Sequence, residues 1–296
     1  MRAERAAIGS ASEFVRVRGL RYHVRRWGRT ELPRIFLLHG WLDVSATFEP
    51  LVAPLLDRWQ VLAPDWRGFG YTEWPQDGYW FADYLADLDA LLDHYSPDGP
   101  VLLVGHSMGG NAASLYAGLR PLRVSKLVCL DTAGLVDAVP QQAPLVLRDW
   151  LDRVRTPHTQ KTYASFEELA QRVRRQHPQL SADHALFIAH CWAHEDGHGR
   201  IALAADPRHW LPFPVPYRAA EAIEMFRSIE APTLFIDAGA AQRAIEPAEL
   251  QRRRSAIRRQ HVTVVAGAGH MLHFDAPEAT AALIAEFLAQ GEYPCA

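Results

Sequence analysis

Short apolar runs that show no alternation of apolar and polar residues constrain the fold of this chain most strongly. Six of them end at positions 40, 65, 107, 131, 237 and 270, and they read IFLLHG, WQVLAPD, VLLVGHS, KLVCLD, TLFID and VTVVAGAGH. Runs of this kind are typical of strands buried on both faces of a parallel sheet. Helical patterns at 79–95, 107–119 and 277–289 lie between or after them. This alternation predicts a doubly wound α/β sheet flanked by helices.

Two other segments have their own patterns. Residues 13–28 alternate apolar and polar side chains about Gly19, which predicts a hairpin with one solvated face. From about Leu135 to Ala231 no strand pattern is clear, and the segment is too long for a structureless loop. We therefore interpret it as a mostly helical insertion packed over the ends of the strands.

Composition narrows the class of protein. The chain has 296 residues, 49% hydrophobic and 22% charged, with a net charge of −3, so charge gives no reason to expect a nucleic-acid or anionic-membrane partner. No apolar run reaches the length of about 18 residues that a membrane-spanning helix needs. The N-terminus lacks a signal-peptide core, and Cys129, Cys191 and Cys295 form no disulfide framework. We expect a cytoplasmic protein; the sequence leaves its oligomeric state open.

The segment VLLVGHSMGGNAA contains a G-x-S-x-G motif at Gly105, Ser107 and Gly109. An apolar strand precedes the motif and a helix-forming stretch follows it, as a nucleophile elbow requires. A sharp turn of this kind lifts the serine hydroxyl clear of the sheet and points the amide end of the helix at a developing oxyanion. The motif therefore predicts a nucleophile at Ser107.

The segment LLHGW (37–41) ends a second strand in His-Gly. The following backbone can turn toward Ser107, so the N–H groups of Trp41 and Met108 are our candidate oxyanion donors. We also consider His39 as a substrate-binding residue, with a structural role in fixing the loop as the alternative.

The segment GAGHMLHFDAPE (267–278) places His270 directly after the last predicted strand. Open α/β sheets bind ligands at the C-terminal ends of their strands. His270 is therefore the candidate general base for Ser107.

Together, LLHGW, DWRGFG (65–70), GHSMGG and GAGHMLHFDAPE resemble the α/β-hydrolase fold family in order and spacing over the whole chain. The resemblance implies a mostly parallel eight-stranded sheet, a Ser-His-acid triad, and a helical lid between strands 6 and 7. It divides the chain into a core at 1–135 and 232–296 and a lid at 136–231. Serine at position 107 resembles esterases, lipases, thioesterases and carbon–carbon bond hydrolases, and it argues against the members that place Asp there.

The acid of the triad is the point at which this chain departs from the family pattern. The family commonly places the acid in the loop just past Gly239, but residues 240–244 read AAQRA. Three carboxylates remain, Asp131, Asp237 and Glu246. Some branches of the family take the acid from the end of the sixth strand, which favours Asp131; Asp237 is the alternative, and Glu246 resembles a first-turn residue of a helix.

We expect a serine hydrolase that cleaves a small-molecule carboxylic ester or thioester with a small-to-medium apolar acyl group, without a metal or organic cofactor. Five aromatic residues of the lid are expected to face the pocket: Trp150, Phe187, Trp192, Trp210 and Phe213. A carbon–carbon bond hydrolase with the same triad, and a ligand-binding protein with slow or no turnover, remain the alternatives.

Two further segments of the insertion carry chemistry-bearing side chains. His190 and His194 in HCWAHEDGH are spaced to share a helix face and could bind zinc, but the segment does not form the H-E-x-x-H motif. RVRRQH (172–177) could attract an acidic substrate. For the first segment we favour a lid helix ending at Gly197 over a metal site. For the second we favour a basic helix face exposed to solvent.

Overall fold

A central eight-stranded sheet organises the computed structural model, which describes residues 9–156, 158–241 and 244–290. The spatial order of its strands is β1-β2-β4-β3-β5-β6-β10-β11. Only the β1–β2 and β2–β4 pairs are antiparallel, which confirms the predicted mostly parallel sheet. The strands are β1 (Ala11–Val17), β2 (Leu20–Trp27), β3 (Arg34–Leu38), β4 (Gln60–Pro64), β5 (Val101–His106), β6 (Val124–Leu130), β10 (Thr233–Ala238) and β11 (Gln260–Val265).

Helices cover both faces of this sheet, because its central strands are apolar on both sides. One apolar cluster lies between the sheet and α2 (Phe81–Tyr95), α3 (Met108–Leu119), α7 (Ala219–Arg227) and α8 (Pro247–Arg254). A second cluster lies on the other face, against α1 (Glu49–Val52), α9 (Leu272–Asp275) and α10 (Pro277–Ala289). The carboxyl ends of β3, β5, β6 and β10 therefore meet at one edge of the sheet.

The predicted N-terminal hairpin is present. β1 and β2 pair with Val17 opposite Leu20, so Arg18 and Gly19 form the two-residue turn. Both turn residues have positive φ, 47° and 88°, which is the backbone twist that joins two antiparallel strands most tightly.

The insertion (residues 136–231) contains helices and one small sheet. Its helices before α7 are α4 (Ala143–Val154), α5 (Phe166–Gln176) and α6 (Ala182–Trp192). The antiparallel sheet, in the order β7-β9-β8, consists of β7 (Thr162–Tyr163), β8 (Ala193–Glu195) and β9 (Ile201–Leu203). The sequence pattern missed these strands because segments of two or three residues are too short to show a strand period.

α7 differs from the rest of the insertion in its packing. Ala222 and Phe226 of α7 belong to the main core cluster, and the helix lies directly on α3. A Cβ at Gly118 of α3 would lie 2.1 Å from the Met225 carbonyl oxygen, so the close approach of the two helices requires glycine there. α7 is therefore part of the helical layer of the core.

None of the helices in the described part of the chain combines the length and the apolar character that crossing a membrane requires.

Candidate active site

Ser107 lies in a strained turn between β5 and α3. Its backbone has φ 49° and ψ −114°, a conformation that L-residues rarely adopt outside functional sites. The turn closes because the residues two positions before and two positions after Ser107 are glycines. A Cβ at Gly105 would lie 2.5 Å from the Gly109 carbonyl oxygen, and one at Gly109 would lie 2.2 Å from the Leu38 carbonyl oxygen. The glycines of the G-x-S-x-G motif thus allow Ser107 to project from the end of the strand.

Asp131 and His270 are in direct contact beside this turn. The Asp131 Oδ2 atom lies 2.6 Å from the His270 Nδ1 atom. The other carboxylate oxygen, Oδ1, accepts a hydrogen bond of 3.0 Å from the Ala238 amide, and the Asp131 amide donates to the Ile236 carbonyl at 2.8 Å. The Asp131 side chain is 4% exposed while that of His270 is 47% exposed. A buried, anchored carboxylate therefore holds an accessible imidazole.

Asp237 and Glu246 lie elsewhere. The Asp237 side chain points from β10 toward α8, where it binds the Arg254 guanidinium through two bonds of 2.9 and 2.6 Å. Glu246 is exposed at the N-cap of α8 and makes no side-chain capping bond there. Gln242 and Arg243, in the loop that carries no carboxylate, lie outside the described residues.

The loop after β3 passes directly over Ser107. A Cβ at Gly40 would lie 2.8 Å from the His106 Nδ1 atom and 3.2 Å from the Ser107 Cβ, so the main chain before Trp41 lies against the Ser107 turn. Met108 is the first residue of α3, and the amides in the first turn of a helix have no acceptor within that helix. The residues predicted to supply the two amide donors are therefore the one that follows Ser107 in the chain and the one that follows Gly40; their role stays a prediction.

His39 is fully buried, and both of its ring nitrogens bind the main chain. Nδ1 donates to the Gly40 carbonyl at 2.7 Å, and Nε2 accepts from the Trp66 amide at 2.9 Å. Burial lowers the pKa of His39, which favours this neutral form. The assignment of His39 to substrate binding is therefore wrong: its side chain fixes the loop that follows β3, as the alternative interpretation had it.

A buried polar network beneath the loops was missed by sequence reasoning. The Asp43 carboxylate is bound by His273 Nε2 at 3.0 Å, by the Thr47 hydroxyl at 2.8 Å and by the Trp192 indole N–H at 2.8 Å. Burial opposes ionisation of this carboxyl, but the hydrogen bond and charge of His273 outweigh it and hold the pKa of Asp43 below its ordinary value. The only sequence signal was a lone Asp two residues past Trp41.

His106 extends this network to the candidate base. Its Nε2 donates to the His270 carbonyl oxygen at 2.9 Å, and its ring lies against that of His273. Burial, with His273 nearby, lowers the pKa of His106 well below its ordinary value, so the ring is neutral. The residue before Ser107 therefore holds the main chain of His270.

Asp43, His106 and His273 are also the one group of three potential metal ligands in the described part of the chain whose ligand atoms lie within 4.8 Å of one another. Hydrogen bonds to protein already use the Asp43 carboxylate and the Nε2 atoms of both histidines. His190 and His194 belong to no such group: His190 stacks on Phe166 at 3.9 Å, and His194 is exposed.

A cavity of about 270 Å³ opens between the loop after β3 and the insertion. Trp41 and Met271 line it from the core, and Trp192 and Trp210 line it from the insertion. The Trp41 and Trp210 rings meet edge-to-face with centroids 4.7 Å apart. Trp192 and Trp210, two of the tryptophans predicted to bind substrate, thus line this cavity.

The other aromatic residues lie outside this cavity. Trp150 packs toward Trp80, with ring centroids 6.3 Å apart, and Phe213 is exposed. Phe187 lines a separate cavity of about 220 Å³, next to Cys191. The expectation that Trp150 binds substrate is not supported by this arrangement, because α4 carries it toward the loop before α2.

Residues 33–277 match a protein family described as the alpha/beta hydrolase fold. The chain is 30% identical over 163 residues to a serine hydrolase-like protein of Danio rerio. This match covers 52% of this chain and 49% of that protein, so the chain spans about half the length of this relative. It is 25% identical over 258 residues to the 2-(acetamidomethylene)succinate hydrolase of Mesorhizobium japonicum, covering 86% and 88% of the two chains. Among solved structures, the thioesterase domain from the curacin biosynthetic pathway superimposes with a TM-score of 0.83 at 25% identity, over 93% of this chain and 99% of that one.

Proposed function

Because this chain belongs to the α/β hydrolase fold family, we propose that it is a serine hydrolase that cleaves a carboxylic ester or thioester through an acyl-enzyme on Ser107. The observation that carries the proposal is the 2.6 Å contact of Asp131 with His270 at the strand end next to the strained Ser107 turn. A serine nucleophile, an imidazole base and a carboxylate that orients the imidazole are the side chains that catalyse acyl transfer in serine hydrolases.

Each group has one role in the proposed reaction. His270 takes the proton from the Ser107 hydroxyl, whose oxygen attacks the substrate carbonyl carbon. The main-chain amides of Trp41 and Met108 stabilise the oxyanion of the tetrahedral intermediate. His270 then protonates the leaving group, and water attacks the acyl-enzyme by the same steps. Asp131 orients the imidazole and stabilises its charged form throughout.

The part of the insertion from α4 up to the start of α7 forms, in this proposal, a lid over the site. Two observations support it: Trp192 donates to Asp43 in the core, and Trp210 packs on Trp41. The boundary we propose lies before α7, because that helix packs on α3. The lid sets the shape of the substrate cavity and excludes water from it.

A second candidate is the cleavage of a bond other than an ester. One relative that matches over most of both chains is a 2-(acetamidomethylene)succinate hydrolase, whereas one structural neighbour is a thioesterase domain. The same triad serves both reactions, so the substrate discriminates between them. The contact of Asp131 with His270 favours a catalyst over a protein that only binds ligands.

The test is labelling of the purified protein by a fluorophosphonate probe, with competition by a panel of nitrophenyl esters and thioesters. We expect labelling in the wild type that the esters suppress, steady-state turnover of at least one ester, and no labelling of Ser107→Ala. Labelling without turnover of any ester or thioester would favour the second candidate. Equal labelling of the wild type and Ser107→Ala would contradict the proposal.

A further inference from the structure

One face of α5 forms a wall of the cavity beside Trp41 and Met271. Leu169, Arg172, Val173 and Gln176 all line it, at the spacing i, i+3, i+4 and i+7 that places residues along one face of a helix. Arg172 is half-buried, whereas Arg174 and Arg175 of the same helix are exposed. The basic segment of α5 is therefore divided: two arginines face solvent, and one faces the cavity.

Most of the residues that line the cavity with Arg172 are apolar. The cavity wall near it consists of Leu169, Val173, Trp192 and Leu203, with the ring of Tyr163. Among residues 9–156, 158–241 and 244–290, no carboxylate lies within ion-pair distance of the Arg172 guanidinium. The Tyr163 hydroxyl lies near both Arg172 and the Glu168 carboxylate: burial raises the pKa of that hydroxyl, Arg172 opposes the increase, and Glu168 adds to it.

Among the residues that the structure describes, Asp43 is the one other charged residue that lines the cavity. Its carboxylate is fully buried and is already bound by His273, Thr47 and Trp192, so three donors satisfy its charge. Arg172 is therefore the cation that remains to be paired by a ligand. A guanidinium at a desolvated apolar wall attracts an anion more strongly than it does in water, and its planar donors match a carboxylate with two parallel hydrogen bonds.

We propose that this cavity binds the acyl chain of a monoester or monothioester of a dicarboxylic acid, with the distal carboxylate of the acyl chain on Arg172. The inference rests on the proposed function and specifies its substrate class. The apolar walls contact the methylene chain, and the single cation selects a single negative charge at its end. A phosphate dianion would require more cationic groups than the one that lines this cavity.

The experiment compares esters that differ only at the distal end. Initial rates are measured for the mono-nitrophenyl esters of adipate and suberate and for the matched neutral hexanoate and octanoate esters. Charged hydrogen bonds in a partly buried site support a preference of about 10- to 100-fold in kcat/KM. We expect the wild type to prefer at least one carboxylated ester by this factor, chiefly through a lower KM.

A second measurement leaves the protein unchanged. Capping the distal carboxylate of the adipate or suberate ester as its methyl ester should remove the preference in the wild type. Retention of the preference by the capped ester would overturn the inference, because chain length alone would then explain it.

Arg172→Gln should lower kcat/KM for the carboxylated esters by about 10- to 100-fold more than for the neutral esters, and Arg172→Lys should restore part of the preference. Arg174→Gln is the matched control, because it removes the same charge from the solvent-facing side of α5. Equal losses of kcat/KM on charged and neutral esters in Arg172→Gln would overturn the inference, and so would the absence of a preference in the wild type. Hydrolysis of the neutral esters would in either case leave the proposed function intact. If none of these esters is hydrolysed, the proposed function fails first.

Discussion

The carboxylate of Asp131 and the imidazole of His270 are 139 residues apart in sequence and 2.6 Å apart in space. Asp131 is the first residue past β6, with φ 48°, and its Oδ1 atom is held by an amide of the neighbouring strand β10. The neighbouring strand thus positions the carboxylate, and the carboxylate positions the imidazole.

Asp131→Asn should lower kcat by about 10³- to 10⁴-fold with little change in KM, because the imidazole loses its orienting charge and its preferred tautomer. The measurement is steady-state kinetics on whichever nitrophenyl ester the wild type hydrolyses. Asp237→Asn is the matched control at the end of the adjacent strand. It breaks the buried pair with Arg254, so we expect a free energy of unfolding lower by about 3–5 kcal/mol and a near-normal kcat for the folded enzyme. The opposite pattern of kcat values would assign the acid to Asp237.

Replacing Ser107 by Gly and by Ala should separate chemistry from backbone strain. Both variants lose the nucleophile and should lose ester turnover and probe labelling. Ser107→Gly should nevertheless unfold at a higher temperature than Ser107→Ala, because only glycine adopts φ 49° and ψ −114° without strain, which costs of order 1–3 kcal/mol for other residues. Calorimetry of the two variants tests this. A lower unfolding temperature for Ser107→Gly would show that the turn stores no strain.

Trp192→Phe keeps an aromatic ring in the cavity wall but removes the indole N–H that donates to Asp43 at 2.8 Å. Loss of a hydrogen bond to a charged group should lower the free energy of unfolding by about 1.5–3 kcal/mol, measured by denaturant titration. Trp210→Phe is the control, since Trp210 is 51% exposed, and we expect a change within about 0.5 kcal/mol. Equal effects of the two substitutions would mean that the bond to Asp43 contributes nothing to the attachment of the insertion.

His209→Phe should change how stability depends on pH. His209 is stacked on Phe69 with ring centroids 3.9 Å apart, and burial lowers its pKa to about 3. Below an unfolded-state pKa of about 6.5 the unfolded chain takes up a proton that the native ring does not, so this residue lowers stability by about 1.4 kcal/mol per pH unit as pH falls. As the pH falls from about 6 to about 4, the free energy of unfolding of His209→Phe should therefore rise relative to that of the wild type, by about 1.4 kcal/mol per pH unit.

Urea titrations of both proteins across this pH range provide the measurement. A difference in unfolding free energy between variant and wild type that does not change with pH would show that native His209 takes up its proton as readily as the unfolded chain does.

Much of the fold followed from local sequence. A strand buried on both faces leaves an apolar run such as VLLVGHS, and a tight strand-to-helix turn needs glycines at fixed offsets, so both can be read from neighbouring residues. The order of strands and helices and the position of Ser107 in its turn are of this local kind. The short strands β7, β8 and β9 are not, because two or three residues carry no period.

Tertiary structure decided the questions that depend on which distant residues meet. Both Asp131 and Asp237 end apolar runs in the sequence. In the folded sheet, where β6 pairs with β10, Asp131 contacts His270 and Asp237 contacts Arg254. Burial of both His39 nitrogens and the direction of Arg172 likewise arise from packing between segments far apart in sequence. Sequence periodicity identifies which face of an element is apolar, whereas the partner of a single polar side chain is set by the three-dimensional arrangement of the elements around it.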